Sequence, residues 1–423
     1  MLQAWARSSV APVPDEPSLW RHGDFLRLWG AQSISALGNQ VTILALPLTA
    51  ILALHASAAE VALLFTATTL PSLVLGLPAG ALVDRVRRRT VMIAADVGRA
   101  ALLASVPLAY ALGILSLPQL YVVAMAGGSF SVLFEIASQA YLPAVVSRTS
   151  LVEANAKLEG SRVVAQAAGP GTGGGLVSLA TAPVAVLADA ASFVVSALLI
   201  RSVSRQDEQP VDAVTPSRLR EGARFVLGHA YLRPLLLAHA LANVALGLVW
   251  SIAIVYAVRE LGLGAGVVGA VLSFGQIGGL TGAAFARRVA GRFGVGRVLA
   301  TAFFLFGPAT LLIALAPRGA AIAFLTLGWV VENLGRALYG VCATSVRQAL
   351  VPDRLQARVT GFQTTVGTGA FPLGTAAGSA LAGLVGLRNA MLAGALIAFV
   401  PFLPVVASPL RSLRDLPHSV DES

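Results

Sequence analysis

Set within long apolar runs of this sequence are a few residues able to carry charge or hydrogen bonds: Asn39, Asp96, Arg99, Glu135, Gln139, Asp189, His239, Glu332, Asn333 and Arg336. Ionisable groups are costly in such surroundings, and those that occur there mark substrate sites or proton relays. Glu135 is the leading candidate, flanked by Phe130, Phe134 and Gln139 a short way in from Pro143. It is expected in an apolar cavity, where a carboxyl can take up and release a proton or meet a substrate. Glu332 and Arg336 have the i,i+4 spacing of a helical ion pair, with Asn333 on a neighbouring face. That trio is expected to pair internally first and to line a cavity second. Asp96 and Arg99 read as a structural charge network at the start of their run. Asp189 reads as a capping or pairing residue near one end of its run, and His239 as a core residue. Trp250, Tyr256 and Phe274, with Asn243 and Gln276, are expected to line a cavity in the second half, a mix suited to a bulky amphipathic molecule.

No enzyme site emerges from these residue types. Gly171–Gly175 lacks the Lys-Ser/Thr of a phosphate loop and lies inside an apolar run. No His, Cys or carboxylate group has metal-ligand spacing, so neither metal nor cofactor is expected. The single cysteine, Cys342, excludes an internal disulfide and reads as core filler.

The elements that must position these residues are membrane spans. Of 423 residues 56% are hydrophobic and 12% charged, against about 25% charged in soluble proteins. Mean hydropathy is +0.78. Twelve apolar runs appear, at 27–54, 61–83, 91–112, 119–146, 160–180, 184–203, 231–257, 266–286, 297–316, 320–346, 359–383 and 389–408. Each is near or above the roughly 20 residues a helix needs to cross a bilayer. The predicted fold class is therefore all-α integral membrane, with twelve transmembrane helices in two pseudo-symmetric six-helix bundles. The expected layout is a tail at 1–24, a bundle at 25–203, a linker at 204–230, a second bundle at 231–408 and a tail at 409–423. An amphipathic surface helix is expected from Arg218 to Val226.

The net charge of +10 is not a nucleic-acid signal, because the arginines sit in short loops between apolar runs rather than on one face. Alternate loops hold most of them, including Arg85, Arg87, Arg88, Arg89, Arg287, Arg288 and Arg292, whereas the opposite loops hold only Arg259, Arg318 and Arg388. By the positive-inside rule both termini are cytoplasmic and the spans even in number. Residues 1–24 lack the apolar core of a signal peptide. Arginine outnumbers lysine 29 to 1, a coding bias of GC-rich bacterial genomes. The expected location is the inner or plasma membrane.

The halves echo each other: Gln139-Ala-Tyr-Leu-Pro143 with Gln348-Ala-Leu-Val-Pro352, and Gly169-Pro170 with Phe371-Pro372. Repeats of this kind characterise secondary transporters. In this order the features resemble the major facilitator superfamily over essentially the whole chain. Gly80, Asp84, Arg85, Arg88 and Arg89 match its loop motif, although Val86-Arg87 stands where a Gly is common. Ala165, Gly169, Pro170, Gly173 and Gly174 match its antiporter motif, with Ala165 replacing the first Gly. Leu37-Gly-Asn-Gln40, Gln139–Pro143, Asp189-Ala-Ala-Ser-Phe193 and Leu219-Arg-Glu-Gly-Ala-Arg-Phe225 are similar to the enterobactin-exporter and macrolide-efflux branch. Asn39 stands where that branch often has Asp, which moves the expected proton role toward Glu135. The resemblance implies a monomeric secondary transporter that exports a small amphipathic molecule, such as a drug, antibiotic or siderophore, in exchange for protons. The proton gradient would be its energy source, and Asp84 would latch the halves in one conformation. The rival expectations are an importer of the same fold and a non-transporting membrane receptor.

Overall fold

The computed structural model describes residues 19–83, 85–147, 150–204 and 216–414. Among these the regular structure is all helical. The first bundle contains α1 (Gly23–Leu52), α2 (Ala58–Val83), α3 (Arg88–Ala111), α4 (Leu117–Val145), α5 (Leu151–Leu179) and α6 (Ala182–Arg201). A short helix, α7 (Pro216–Gly228), leads to α8 (Leu232–Arg259), α9 (Ala265–Phe293), α10 (Val295–Ala314) and α11 (Ala321–Leu350). The chain ends with α12 (Asp353–Gly369), α13 (Phe371–Val385), α14 (Leu387–Ile397) and α15 (Phe402–Val406).

Eleven stretches among the described residues are long and apolar enough to span a bilayer, with α12–α13 and α14–α15 each forming one of them. The expected twelfth is α5, which has equivalent length but carries Glu153, Lys157, Glu159 and Arg162 in its first half. It starts at Leu151 rather than 160 because these charges are satisfied along the helix itself. Lys157 meets Glu153 at 3.2 Å, and Arg162 donates Nε–H to Glu159 at 2.8 Å. Such i,i+3 and i,i+4 pairs support a helix whose apolarity has run out.

Two other boundaries move for backbone reasons. The run at 359–383 is two helices, because Pro372 supplies no N–H and α13 restarts at Phe371. The last run similarly breaks before Phe402, next to Pro401. Arg287, Arg288 and Arg292, expected in a loop, lie on the final turns of α9.

Helix α1 packs on α5 and α6, and α3 on α4 and α6; in the second bundle α9 and α10 pack on α11, and α8 on α13. The bundles meet along α5–α9 and α2–α13, with smaller contacts from α8 to α1 and α2. The linker helix α7 rests on α12 and α8. There Glu221 pairs with Arg358, and Gly222 lies against the Arg358 backbone. Among the described residues it is therefore fastened chiefly to the second bundle.

The arginine-rich end is tied down by side chains that receive the unpaired carbonyls ending α6. Arg27 donates to Ser202 O at 2.8 Å, while Arg89 donates to Ile200 O at 3.2 Å and to Arg201 O. A cation at a helix C-terminus also opposes the helix dipole. Arg85, by contrast, is exposed. Arg89→Ala should thus lower stability by about 1–2 kcal/mol, read as an earlier thermal midpoint in detergent, while Arg85→Ala should leave the midpoint unchanged.

Candidate functional site

A cavity of about 1000 Å³ runs through the first bundle. Its wall alternates amides with aromatic rings: Asn39 and Gln40 from α1, Gln139 from α4, Asn155 and Gln166 from α5, against Phe65, Phe134 and Phe193. The second bundle contributes Trp250 and Phe371. The cavity reaches Pro143 near the end of α4 and Leu151 at the start of α5, so it opens at the arginine-rich end.

The opposite end is sealed. Thr66 bonds Thr375 at 3.0 Å, Ser379 donates to Ala59 O at 2.7 Å, and Arg259 reaches Ala56 O. Gly171 N–H donates to Ser273 Oγ at 2.9 Å. All of these ties join the two bundles.

Glu135 faces the cavity, but it is exposed there rather than buried, and Gln139 donates to its Oε1 at 2.7 Å. The expectation of an apolar burial fails because the cavity is open and Glu135 stands exposed on its wall. The buried charge lies on α3 and α6. Arg99, roughly 16 Å along α3 from Arg88, is an intramembrane group and not a residue of the helix start. It is paired with Asp96, and its guanidinium sits 4.6 Å from the Phe134 ring centroid and 4.0 Å from that of Phe193. Asp189 completes the group. It lies roughly 10 Å along α6 from Ala182, lines the cavity, and accepts from Ser192 Oγ at 3.0 Å. Reading it as a residue near the helix end placed it too shallow. Asp96 and Asp189 are both 0% exposed.

One turn of α1 joins the motifs. Gly38 lies against Asp189 and Ser192; a Cβ there would collide with the Asp189 Oδ1 and the Ser192 side chain. Asn39 points into the cavity, and Gln40 and Val41 pack on Gly169 and Gly173 of α5. Pro170 and Gly174 turn the other way, onto Gly269 and Ala265 of α9. Ala165 is buried beside the cavity. Small residues here let helices approach backbone to backbone, as in other membrane bundles. Asp189 is the buried cavity residue that sequence reasoning weighted least; the pairing of Leu37–Gln40 with Asp189–Phe193 as kindred segments was the available signal.

Other candidates lie elsewhere. Glu332 is 4% exposed and accepts from Arg336 at 2.8 Å, while Asn333 Oδ1 accepts from Arg336 at 3.1 Å. Glu332 and Arg336 line a separate cavity of about 170 Å³ with Asn243 and His239, whose ring stacks on Tyr339. Tyr256 and Phe274 are not cavity residues: Tyr256 is buried with its hydroxyl on Ala314 O at 2.9 Å, and Phe274 points outward at 59% exposure. Gln276 lines neither cavity. Gly80 lies in the last turn of α2, and Asp84 lies outside the described residues.

The profile of the transmembrane secretion effector family matches residues 16–419. The chain belongs to this family of major facilitator transporters. It is 28% identical to the MFS-type transporter YfiS of Bacillus subtilis (strain 168), covering 95% of this chain and 97% of that one. It is 29% identical to the multidrug efflux pump Tap of Mycolicibacterium fortuitum, covering 94% and 98%. Its fold is similar to the nucleoside transporter NupG, with TM-score 0.71 and 12% identity over 91% and 98% of the chains. It is also similar to a bacterial homologue of the iron transporter ferroportin in its inward-facing state, with TM-score 0.71 and 18% identity over 92% and 99%. The protein is thus a multi-pass membrane transporter for a small molecule and not an enzyme.

The α5–α9 seam is the largest contact between the two bundles. A Cβ at Gly266 would stand 3.9 Å from the Ser178 Cβ, close to the roughly 3.8 Å typical of a disulfide. In a Cys342→Ala background, Gly266→Cys with Ser178→Cys should cross-link under mild oxidation and stop transport until a reductant is added. Failure to cross-link would place the seam elsewhere.

Proposed function

We propose that this transporter exports small amphipathic molecules from the cytoplasm in exchange for protons. On this reading α5 is the twelfth span, the termini are cytoplasmic, and the structure is the inward-open state. The arrangement of arginines at the open end supports that orientation. The observation that carries the proposal is the cavity itself: one end sealed by contacts between two bundles, the other open, with ionisable groups in its wall. Rocking of residues 25–203 against 231–408 would break the α5–α9 and α2–α13 contacts and close the arginine-rich end. Asp84 and the arginines after it would then latch the halves. The similarity to an efflux pump over nearly the whole chain supports export over uptake.

The wall also speaks to the cargo. Aromatic rings and amides together suit a molecule with a flat apolar body and polar edges. Arg162 is occupied by Glu159 and Arg99 by Asp96, whereas Glu135 makes no ion pair among the described residues. Glu135 is therefore the group placed to meet a cationic substituent, with Asn39 and Gln139 beside it.

In inside-out vesicles energised by a proton gradient, ethidium, a macrolide, a tetracycline and a catecholate siderophore would be offered in turn. Uptake accompanied by proton efflux from the vesicle is the expected result for at least one cation. Glu135→Gln should weaken its apparent affinity about tenfold, the size of one charge-assisted contact, with proton movement per molecule unchanged. Uptake driven by the membrane with no proton movement would remove the antiport mechanism.

A further inference from the structure

Two carboxyls and one guanidinium share the interior of the first bundle. Asp96 and Asp189 are 0% exposed and Arg99 is 4% exposed. Charges this deep must be paired or neutralised, because a net charge in low dielectric costs several kcal/mol. One arginine balances one carboxylate. With all three groups ionised the cluster would carry an uncompensated negative charge, so it is neutral only when one carboxyl holds a proton.

Geometry decides which one. Asp96 holds the guanidinium directly, and the rings of Phe134 and Phe193 fix Arg99 in that position. Asp189 has only hydroxyls close by: Ser192 Oγ donates to its Oδ1 at 3.0 Å, Thr42 faces it from α1, and its Oδ2 makes no hydrogen bond. Of the two acids it is Asp189 that lines the cavity. The charged groups around it are Arg99 and Asp96 on α3; Glu135 on α4 acts on the same arginine, while on α5 Glu159 and Arg162 satisfy each other.

We propose that Asp189 carries the exchanged proton, with Asp96 and Arg99 as positioning residues that leave it, and not Asp96, as the neutral acid. This rests on the antiport reading above and assigns Glu135 to the substrate instead. The step is a simple transfer: Asp189 loses H+ to cavity water and becomes a carboxylate, and regains H+ in the other conformation. Coupling runs through α1. Gly38 and Thr42 lie on the carboxyl, Asn39 of the same turn lines the cavity, and Gln40 abuts α5. A substrate that displaces this turn changes what surrounds the acid.

The test uses the full chain reconstituted in lipid. Infrared difference spectra between acid and alkaline pH should show the carbonyl stretch of a protonated carboxyl that titrates and shifts in D2O. The band should persist in Glu135→Gln and vanish in Asp189→Asn. It should also vanish in Asp96→Asn, because Arg99 is then free to balance an ionised Asp189; a merely structural role for Asp96 would not move it. Persistence of the band in either aspartate variant, or its absence in the wild type, would overturn the assignment. In vesicles containing the wild type, ethidium should drive proton movement. Asp189→Asn should abolish that movement yet retain ethidium counterflow, and Asp189→Glu should restore part of it. Normal proton movement in Asp189→Asn would overturn the coupling role. Absence of proton movement in the wild type would instead strike at antiport, which the spectra do not depend on.

Discussion

Arg99 lies between two phenyl rings with Asp96 against it, deep in a helix that crosses hydrocarbon. Lipid offers such a group no solvent, so the protein must supply every partner. That requirement organises the first bundle. It brings α3, α4 and α6 together around one cation, through Asp96, Phe134 and Phe193. It also explains why α6 carries Asp189 and Ser192 on the face turned to α1. A purely apolar bundle would be easier to assemble, but it would have no group whose charge could change.

The same turn of α1 ties this buried charge to the seam between the bundles. Gly38 touches α6, Asn39 touches the cavity, and Gln40 and Val41 touch Gly169 and Gly173 of α5. One step further, Pro170 and Gly174 touch α9 in the other bundle. The antiporter-type motif is thus a strip with two faces, one toward the charge cluster and one toward α9 of the other bundle. Side chains larger than hydrogen on either face would separate the backbones whose approach makes the connection.

Much of this was legible in the sequence, and the failures share a cause. Apolar runs divided by arginine loops identify a helical membrane protein because the bilayer selects on composition and length. The same averaging misplaces α5, whose charged first half is helical through Glu153–Lys157 and Glu159–Arg162 pairs that a hydropathy window counts as loop. Depth is equally hard to read. Asp96, Arg99 and Asp189 read as residues near the ends of apolar runs, yet α3 and α6 begin three and two residues before those runs and all three side chains are buried. Orientation around a helix is harder still: Phe274 and Trp250 are both aromatic residues in second-bundle spans, but one faces outward and the other the cavity. Only packing distinguishes them.

The pseudo-symmetry of the halves stops at the backbone. In the first bundle the polar side chains converge on one large open cavity. In the second, Glu332, Arg336, Asn243 and His239 converge on a small separate one, and Glu332 and Arg336 already satisfy each other. Two acids around one arginine leave a proton to be gained or lost; one acid with one arginine leaves none. The two bundles therefore differ in charge stoichiometry. On the proposed reading the first bundle holds the group that switches, and the second contributes Trp250 and Phe371 to the cavity and α9 to the seam.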